Sequence, residues 1–388
     1  MKINLDWNNL KKNRSINAIT TIGFGNIIGS ALSSIFWIFI AGLLGTESYG
    51  QLSYFLAIIG IFSAVSMFGG QYTMQVYTSK RIKIESSLYL ISIFSGLSMS
   101  IILFLVFQDV GVSISLIGIT MLNLFYSELI GKKLFSKYSL LYIVQKILFV
   151  SLSLILYYLI GFEGILIGYG LSHFLFIKHI IKILVSNKFN SKLISSKKKV
   201  IFFNYITELT GTARNNVDKI LIVPFFGLSL LGNYFLAMQI LSLMYMLPGI
   251  VLKYTIGEDS RGKSTLKIKS ITVLISVAIA FLGVFVGPKF LPIFFPQFVD
   301  AIELLPIISL AVIPRTISLM IMSKLLATEK NFHVTIGNLI TFLLLVIGII
   351  LSFQFYKEIG MAYSYLLAMT GNSIYLIFVI YSKRKIIK

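Results

Sequence analysis

Residues 80–137 read KRIKIESSLYLISIFSGLSMSIILFLVFQDVGVSISLIGITMLNLFYSELIGKKLFSK, and this stretch decides the fold. Two apolar segments, 87–107 and 112–130, lie between two clusters of cations, and the short loop that joins them carries no Lys or Arg. An apolar helix of about 20 residues crosses the ~30 Å hydrocarbon core of a bilayer, and loops rich in Lys and Arg stay on the cytoplasmic side. The stretch therefore predicts two transmembrane helices joined outside the membrane, with their other ends at the cytoplasmic face.

The same alternation continues along the whole chain and predicts an all-α polytopic membrane protein with about twelve transmembrane helices. Of the 34 Lys and Arg residues, 26 lie in segments that this topology assigns to the cytoplasm, whereas the external loops hold only Lys289 and Lys357. Both termini are therefore expected in the cytoplasm of a multi-pass protein of the cell membrane. The predicted spans are 16–44, 50–74, 87–107, 112–130, 139–159, 163–184, 201–226, 231–252, 271–286, 302–322, 335–355 and 360–381.

The composition supports lipid as the solvent and excludes several classes of function. The chain is 57% hydrophobic and 12% charged, whereas a soluble domain carries about 25% charged residues. The net charge of +20 does not indicate nucleic acid as a partner, because the cations lie between membrane spans. The chain has no cysteine, and no motif predicts a metal site or a cofactor.

The chain divides into two similar halves. The polar segment 186–199 is predicted to be a basic cytoplasmic linker between two six-helix lobes, 1–185 and 200–388. Because six is an even number, the two copies point the same way, and their symmetry axis is expected along the membrane normal.

Two short sequence matches carry this duplication. The first is Gly-x4-Gly at the junction of two spans, at Gly45–Gly50 in the first half and Gly227–Gly232 in the second. The second lies in the last hairpin of each half, where GFEGILIGYGL corresponds to YKEIGMAYSYL. This match places Gly164 over Gly360 and Tyr169 over Tyr365.

Span seven is the least apolar span and is the principal candidate site. At about 100° per residue, its polar residues form one stripe, bordered by Arg214. Each charge that faces lipid near the bilayer centre costs at least about 2.5–3.5 kcal/mol, so the stripe must face protein or water. The two interpretations are an ion pair between Arg214 and Asp218 that joins two helices, and the wall of a hydrophilic substrate cavity. We favour the cavity because an ion pair leaves the asparagines unexplained. The stripe comprises Asn204, Glu208, Gly211, Asn215, Asp218 and Lys219.

Other ionisable residues lie deep in the predicted spans. Lys146 in span five and Arg315 in span ten, next to Pro314, would suit an anionic substrate, or each pairs with a carboxylate. His173 in span six is either a hydrogen-bonded structural residue or a proton relay. Glu208, Asp218 and His173 are the candidates for ion coupling. Glu128 is expected to pair with Lys132 at the inner interface.

Enzyme signatures are missing from the sequence. Gly257–Ser264 fits the phosphate-loop pattern GxxxxGK[ST], but that motif works only between a strand and a helix of an α/β domain. The pattern lies here in a short loop between two spans. We therefore expect no enzyme activity.

Three stretches resemble the multidrug/oligosaccharidyl-lipid/polysaccharide (MOP, MATE-like) exporter superfamily, in particular its polysaccharide flippases of the O-antigen (Wzx) type. They occur in the family's order, and the resemblance as a whole covers nearly the entire chain. They are LLGTESYGQLSYFLAIIGIFSAVSMFGG (43–70), NNVDKILIVPFFGLSLLGNYFLAMQIL (215–241) and FLPIFFPQFVDAIELLPIISLAVIP (290–314).

The resemblance implies two six-helix lobes around a central cavity that opens alternately to each side. It also implies transport of a polyprenyl-(pyro)phosphate-linked oligosaccharide from the cytoplasmic to the outer leaflet, with cavity cations on the phosphate and sugar acids. Arg214, Lys219, Lys146 and Arg315 match by position, and Asp218 lies where the family often places an Asp. Membrane lipid and other glycan-assembly proteins are the further partners implied, and a self-contained cavity requires only a monomer.

Two departures from the family bear on the branch. The chain has no spans thirteen and fourteen, which argues against the peptidoglycan-precursor flippases. Span one has no carboxylate, which argues against a drug or cation antiporter. An ion-coupled small-molecule antiporter of the same fold and a membrane enzyme of glycan assembly remain the alternatives.

Overall fold

The computed structural model describes residues 14–186, 189–259, 262–328, 330–355 and 357–384, and its regular structure is helical. The predicted cytoplasmic cations in 1–13, 187–188, 260–261 and 385–388 lie outside the described residues. A 3-10 helix spans Ser172–Phe176. The α-helices are α1 (Arg14–Met67), α2 (Gly70–Ser79), α3 (Glu85–Phe107), α4 (Val110–Gly131), α5 (Phe135–Ile160), α6 (Phe162–Leu171), α7 (Ile177–Ser186), α8 (Ser191–Met244), α9 (Met246–Asp259), α10 (Leu266–Phe285), α11 (Gly287–Phe294), α12 (Val299–Leu310), α13 (Val312–Ala327), α14 (Asn331–Phe355) and α15 (Lys357–Arg384).

Twelve spans follow from these helices. Ten helical segments in the described residues are long and apolar enough to cross a membrane. Two of them contain a glycine outside helical geometry: Gly45 in α1 (φ 74°, ψ 178°) and Gly227 in α8 (φ 85°, ψ 176°). Positive φ with extended ψ is a conformation that essentially only glycine adopts. Each of these two helices is therefore a pair of spans joined at a single bend, and the prediction of about twelve spans is confirmed.

The chain forms two compact units. The first unit is Ile35–Phe235, and the second is Leu236–Lys388 together with the described residues up to Ser34. The division into lobes 1–185 and 200–388, which rests on the duplication of the sequence, stays a prediction. Most of the predicted linker is not a loop, since α8 begins at Ser191. Its Ser, Lys, Leu and Ile residues contain no helix breaker, so the polar segment extends span seven instead of interrupting the helix.

A close contact between two glycines and two carbonyl groups lies inside the first unit. Gly50 packs against the carbonyl oxygen of Leu228, and Gly232 against that of Thr46, so closely that a Cβ at either glycine would overlap the oxygen. The hydroxyl of Ser229 also donates to Thr46 Oγ1 at 3.0 Å. We call this pair of approaches the glycine contact. It joins the span one–two junction to the span seven–eight junction through the residues that the sequence match identified.

The basic end of the first unit holds the predicted ion pair. Glu128 is buried, and its carboxylate lies 2.6 Å from Lys132 Nζ. The carboxylate also accepts a hydrogen bond from Tyr89 at 2.8 Å and lies 3.1 Å from His179 Nε2. The network links spans three, four and six, and the prediction that Glu128 pairs with Lys132 is confirmed.

Two spans are broken at residues of the second unit, Tyr245 and Ala311. Span eight, predicted to run unbroken over 231–252, is interrupted at Tyr245, because Pro248 lacks the N–H that would continue the helix. Span ten is interrupted at Ala311, three residues before Pro314, near the predicted kink. The two breaks touch, since Tyr245 donates a hydrogen bond to the carbonyl oxygen of Ala311 at 3.4 Å.

The phosphate-loop match Gly257–Ser264 lies between α9 and α10. Two of its residues, 260 and 261, are outside the described part of the chain. The described residues around the match form helix ends, and no strand precedes it, so the context that a phosphate loop needs is missing there.

Candidate functional site

The N-terminal part of span seven is packed against span two. Asn204 donates a hydrogen bond to Thr73 Oγ1 at 3.0 Å, and the rings of Tyr205 and Phe68 stack with centroids 5.5 Å apart. At Gly69, which lies between α1 and α2 with φ 72°, a Cβ would overlap the backbone of span seven. The glycine at the break in span two therefore allows the backbone of span seven, which carries the polar stripe, to approach closely.

Glu208 lies one turn further along this stripe and is buried without a partner. Its side chain is 4% exposed, and neither carboxylate oxygen makes a hydrogen bond to a residue that the structure describes. The backbone N–H of Gln71 is the favourable electrostatic neighbour of its carboxylate. The hydroxyl of Tyr72 lies in the electrostatic field of both Glu208 and Arg214. A buried carboxylate is costly unless it is paired. Glu208 is therefore a group that a proton or a cation from outside the protein would satisfy.

The middle of the stripe is open. A Cβ added at Gly211 would meet no atom within 4 Å, and Asn215 is exposed. Arg214, which is half-buried, donates to Asn215 Oδ1 at 3.1 Å. Lys219 Nζ donates to the carbonyl oxygen of Asn215 at 2.8 Å. Arg214 and Lys219 therefore converge on one accessible asparagine.

Asp218 belongs to a dry contact instead. It is 3% exposed and accepts a hydrogen bond from Tyr234 of span eight at 2.9 Å. Lys219 Nζ lies 3.8 Å from the same carboxylate. The partners of Asp218 are thus Tyr234 and Lys219, and the ion pair with Arg214, one of the two interpretations of the stripe, is not formed. The stripe combines an open middle at Gly211 with a sealed C-terminal end at Asp218.

A polar cavity of about 230 Å³ lies inside the first unit, among spans two, four, five and six. It brings together two predicted site residues, Lys146 and His173, and side chains with no role assigned from the sequence. Among the described residues, its lining contains no carboxylate. The lining residues are Gln71, Gln75, Ile119, Leu122, Asn123, Tyr126, Ser127, Ile130, Tyr138, Tyr142, Gln145, Lys146, Tyr169 and His173.

Lys146 is the cation of this cavity. Its Nζ lies over the rings of Tyr142 and Phe149, at 5.4 and 5.8 Å from their centroids. Among the residues that the structure describes, Lys146 has no carboxylate or hydrogen-bond partner. Of the two alternatives for this lysine, an anionic ligand or a carboxylate partner in the protein, the contacts favour the ligand.

His173 is held by its own helix. It is 3% exposed, and its Nδ1 lies 2.5 Å from the carbonyl oxygen of Tyr169, which is only an acceptor, so Nδ1 carries the hydrogen. The remaining nitrogen, Nε2, is left as an acceptor. This arrangement is that of a positioned structural histidine, the first of the two alternatives.

Sequence reasoning missed the amides of the cavity. Gln145 is fully buried, donates through Nε2 to Ser172 at 3.1 Å, and leaves its Oε1 without a partner. Gln71 and Asn123 also line the cavity. Single amides in apolar spans give a weak signal, but polar side chains at membrane depth are expected to face the interior, which would have pointed to them.

Arg315 lies in the second unit, at the start of α13 just after the break at Ala311. Its side chain is half-buried and has Tyr245 as an electrostatic neighbour. Like Lys146, it makes no ion pair within the described residues. The described residues also hold no group of three His, Asp or Glu side chains suited to a metal ion.

Comparisons with known proteins identify the fold but no family. No protein-family model matches the chain, and no curated protein matches its sequence. Among solved structures, the lipid II flippase MurJ in an inward closed conformation matches with a TM-score of 0.77 and 17% identity, over 92% of this chain and 87% of that chain. An inward-facing multidrug resistance MATE family transporter of the MOP superfamily matches with a TM-score of 0.69 and 15% identity, over 95% and 97%.

A third match is a MOP superfamily transporter from Pyrococcus furiosus, described as having a binding pocket of reverse polarity. Its TM-score is 0.56 at 15% identity, over 97% of this chain and 96% of that chain. At these identities the likeness shows the fold alone, which is that of MATE transporters and of MurJ.

Proposed function

We propose that this multi-pass membrane protein, which has the fold of MOP-superfamily transporters, is a flippase for a polyprenyl-(pyro)phosphate-linked oligosaccharide. It carries the saccharide from the cytoplasmic to the outer leaflet of the cell membrane by alternating access, for assembly of a surface polysaccharide. Both termini lie in the cytoplasm in this proposal. The lipid II flippase MurJ supports it as a fold neighbour that moves a lipid-linked cargo.

The observation that carries the proposal is the pair of deep cations without a carboxylate. Lys146 in the first unit and Arg315 in the second make no ion pair within the described chain. A charge at membrane depth costs several kcal/mol unless something neutralises it. An anionic cargo supplies that neutralisation, whereas a cationic drug would add to the repulsion.

Arg214 and Lys219 are assigned to the phosphate groups of the carrier. Both lie beside the exposed Asn215, next to the open face at Gly211. Hydrogen bonds from cations to phosphate are short and strong. Asp218 holds Lys219 in place from the buried side.

The lipid tail of the cargo stays in the bilayer while its head crosses. Hydroxyl groups transferred into hydrocarbon without hydrogen bonds cost roughly 2–7 kcal/mol each. A polar passage through the protein removes this cost, and the apolar tail has no reason to leave the lipid.

A second candidate function, an ion-coupled small-molecule antiporter, is favoured by Glu208. A buried carboxylate without a partner is the group that such an antiporter would load and unload. A flippase driven by an ion gradient would use Glu208 in the same way, so this residue does not separate the two candidates.

The test compares two double variants in cells that depend on this protein for a surface glycan. Replacing Arg214 and Lys219 by Ala removes the proposed phosphate contacts, each worth about 1.5–3 kcal/mol. Export should fall at least tenfold, with lipid-linked glycan accumulating on the inner leaflet and membrane insertion intact.

The matched control replaces Lys178 and Lys182, two exposed lysines of span six, and should export normally. Normal export by the Arg214/Lys219 variant would contradict the phosphate assignment. Drug efflux with an unaltered surface glycan would favour the antiporter.

A further inference from the structure

The polar cavity of the first unit has the composition of a ligand site rather than of a packing defect. Cavities left empty in proteins are lined by apolar side chains. This one is lined by a lysine, a histidine, three glutamines, an asparagine, a serine and four tyrosines. Two of these groups, the Lys146 ammonium and Gln145 Oε1, have no hydrogen-bond partner in the described chain, which is costly unless a ligand supplies one.

The charge of the cavity fixes the charge of its ligand. Among the described lining residues, Lys146 is the only Lys or Arg, and none is an Asp or Glu. One unneutralised cation matches one negative charge. A carboxylate fits this requirement better than a pyrophosphate, which carries more charge than the cavity can compensate.

The neutral groups demand hydroxyls on the same ligand. Gln145 Oε1 is a buried acceptor without a donor, so the ligand must bring an O–H or N–H. His173 offers a second acceptor in Nε2, because its Nδ1 is bound to Tyr169. The amide of Asn123 can both donate and accept. A ligand with several hydroxyl groups satisfies all three.

The tyrosines provide flat aromatic faces on which a sugar ring can pack. The rings of Tyr126, Tyr138 and Tyr142 form a cluster with centroid distances of 5.2, 5.7 and 5.9 Å, and Tyr169 lines the cavity near Lys146. The C–H faces of a sugar ring pack on such aromatic faces. At about 230 Å³, and with a water occupying about 30 Å³, the space suits one sugar ring rather than a chain.

We propose that this cavity binds a single acidic sugar residue, a hexuronic acid, with its carboxylate on Lys146 and its hydroxyls on Gln145, His173 and Asn123. The proposal rests on the proposed function, in which the sugar is part of the saccharide cargo. In this proposal the cavity is a selectivity site that binds one sugar residue of that cargo. It is separate from the phosphate contacts of span seven.

Trp37 provides the readout. It is one of two tryptophans in the chain, and its ring lies 5.1 Å from Phe149 and 6.1 Å from Tyr169, between centroids. In purified full-length protein with Trp7→Phe, free glucuronate should change the Trp37 fluorescence saturably. Glucose, which lacks the charge, and acetate, which lacks the ring, should bind at least about tenfold more weakly.

Three variants test the residue assignment. Lys146→Met should abolish the response, Lys146→Arg should retain it, and Lys289→Met, which removes a lysine outside the first unit, should leave it unchanged. A response that Lys146→Met retains, or no saturable response in the folded parent, would overturn the proposal. No transfer of a lipid-linked saccharide between leaflets by the parent protein in vesicles, with glucuronate binding intact, would reject the flippase function and leave the sugar site standing.

Discussion

Two carboxylates of span seven look equivalent in the sequence and differ completely in the structure. Within the described part of the chain, Glu208 is buried with no hydrogen bond to either oxygen, whereas Asp218 accepts one from Tyr234. Both lie on the polar stripe that the helical period predicts. The period gives the direction of a side chain but not the partner that another span brings to it, which is why the two roles could not be separated from the sequence.

This difference predicts opposite effects of two conservative substitutions. Asp218→Asn should lower the unfolding free energy by about 1–3 kcal/mol, because it weakens a buried hydrogen bond to a charged group. Glu208→Gln should leave stability unchanged or raise it, since it removes a buried charge without a partner. Thermal unfolding of both purified variants measures this. Equal losses would mean that Glu208 has a stabilising partner after all.

The carboxylate of Asp259, at the C-terminal end of α9, predicts a pH dependence of the protein's stability. Burial opposes its ionisation, but hydrogen bonds from Lys269, Thr265 and Ser323 outweigh burial and hold the pKa of Asp259 below its usual range. A carboxylate whose pKa is lower in the folded state contributes stability above its unfolded pKa of about 3.9. That contribution is lost as the pH falls through the lower, folded pKa.

Asp259→Asn should therefore destabilise the protein at pH 7 and have a smaller effect in acid. The expected loss at neutral pH is about 1–3 kcal/mol. Melting temperatures of parent and variant between pH 7 and pH 3 test this, with Glu47→Gln as the control. A difference between parent and variant that stays constant over this range would contradict the assignment.

At the scale of elements, the sequence predicted span junctions better than span interiors. The Gly-x4-Gly match located the bends at Gly45 and Gly227, because only glycine adopts their backbone conformation. The break at Tyr245 was missed although Pro248 marks it, since hydropathy alone gives a continuous apolar run. The helical start of span seven at Ser191 was missed because a polar segment outside the membrane carries no hydropathy signal.

The glycine contact predicts that its two glycines tolerate no side chain. Gly50→Ala and Gly232→Ala would each drive a Cβ into a carbonyl oxygen of the other span pair. Each should cost about 1–3 kcal/mol of stability or force the junctions apart. Gly211→Ala is the matched control, since a Cβ there meets nothing and Ala favours the helix.

Thermal unfolding of the three glycine variants in detergent is the measurement. Unchanged melting temperatures for Gly50→Ala and Gly232→Ala would mean that the contact does not constrain the fold. Destabilisation by Gly211→Ala would mean that the middle of the stripe is more closely packed than its surroundings indicate.

For the whole molecule, the number of spans and the fold were predictable because hydropathy and charge act along the chain. The polar cavity was not, because its amides and tyrosines come from four different spans, and hydropathy does not show which faces of those spans meet. Of its lining, only Lys146 and His173 were predicted as site residues, since ionisable residues alone stand out against apolar spans.

The orientation in the membrane is a prediction that the natural lack of cysteine makes simple to test. Single cysteines at Lys133 and Lys289 should react with a membrane-impermeant maleimide from opposite sides, Lys133→Cys from the cytoplasm and Lys289→Cys from outside. This expectation follows from the distribution of Lys and Arg, with 26 in the predicted cytoplasmic segments and two in the predicted external loops. Labelling of Lys133→Cys in intact cells would reverse the assigned topology.

The most direct test of the central claim is transfer between leaflets in vesicles that contain only this protein. A polyprenyl-pyrophosphate oligosaccharide with a hexuronic acid would be placed in one leaflet, and its appearance in the other followed by an impermeant sugar-modifying reagent. Transfer by the parent protein, at least about tenfold faster than by the Arg214/Lys219 double variant, is the predicted result. Transfer no faster than in protein-free vesicles, with the same preparation moving a small cationic drug, would contradict it.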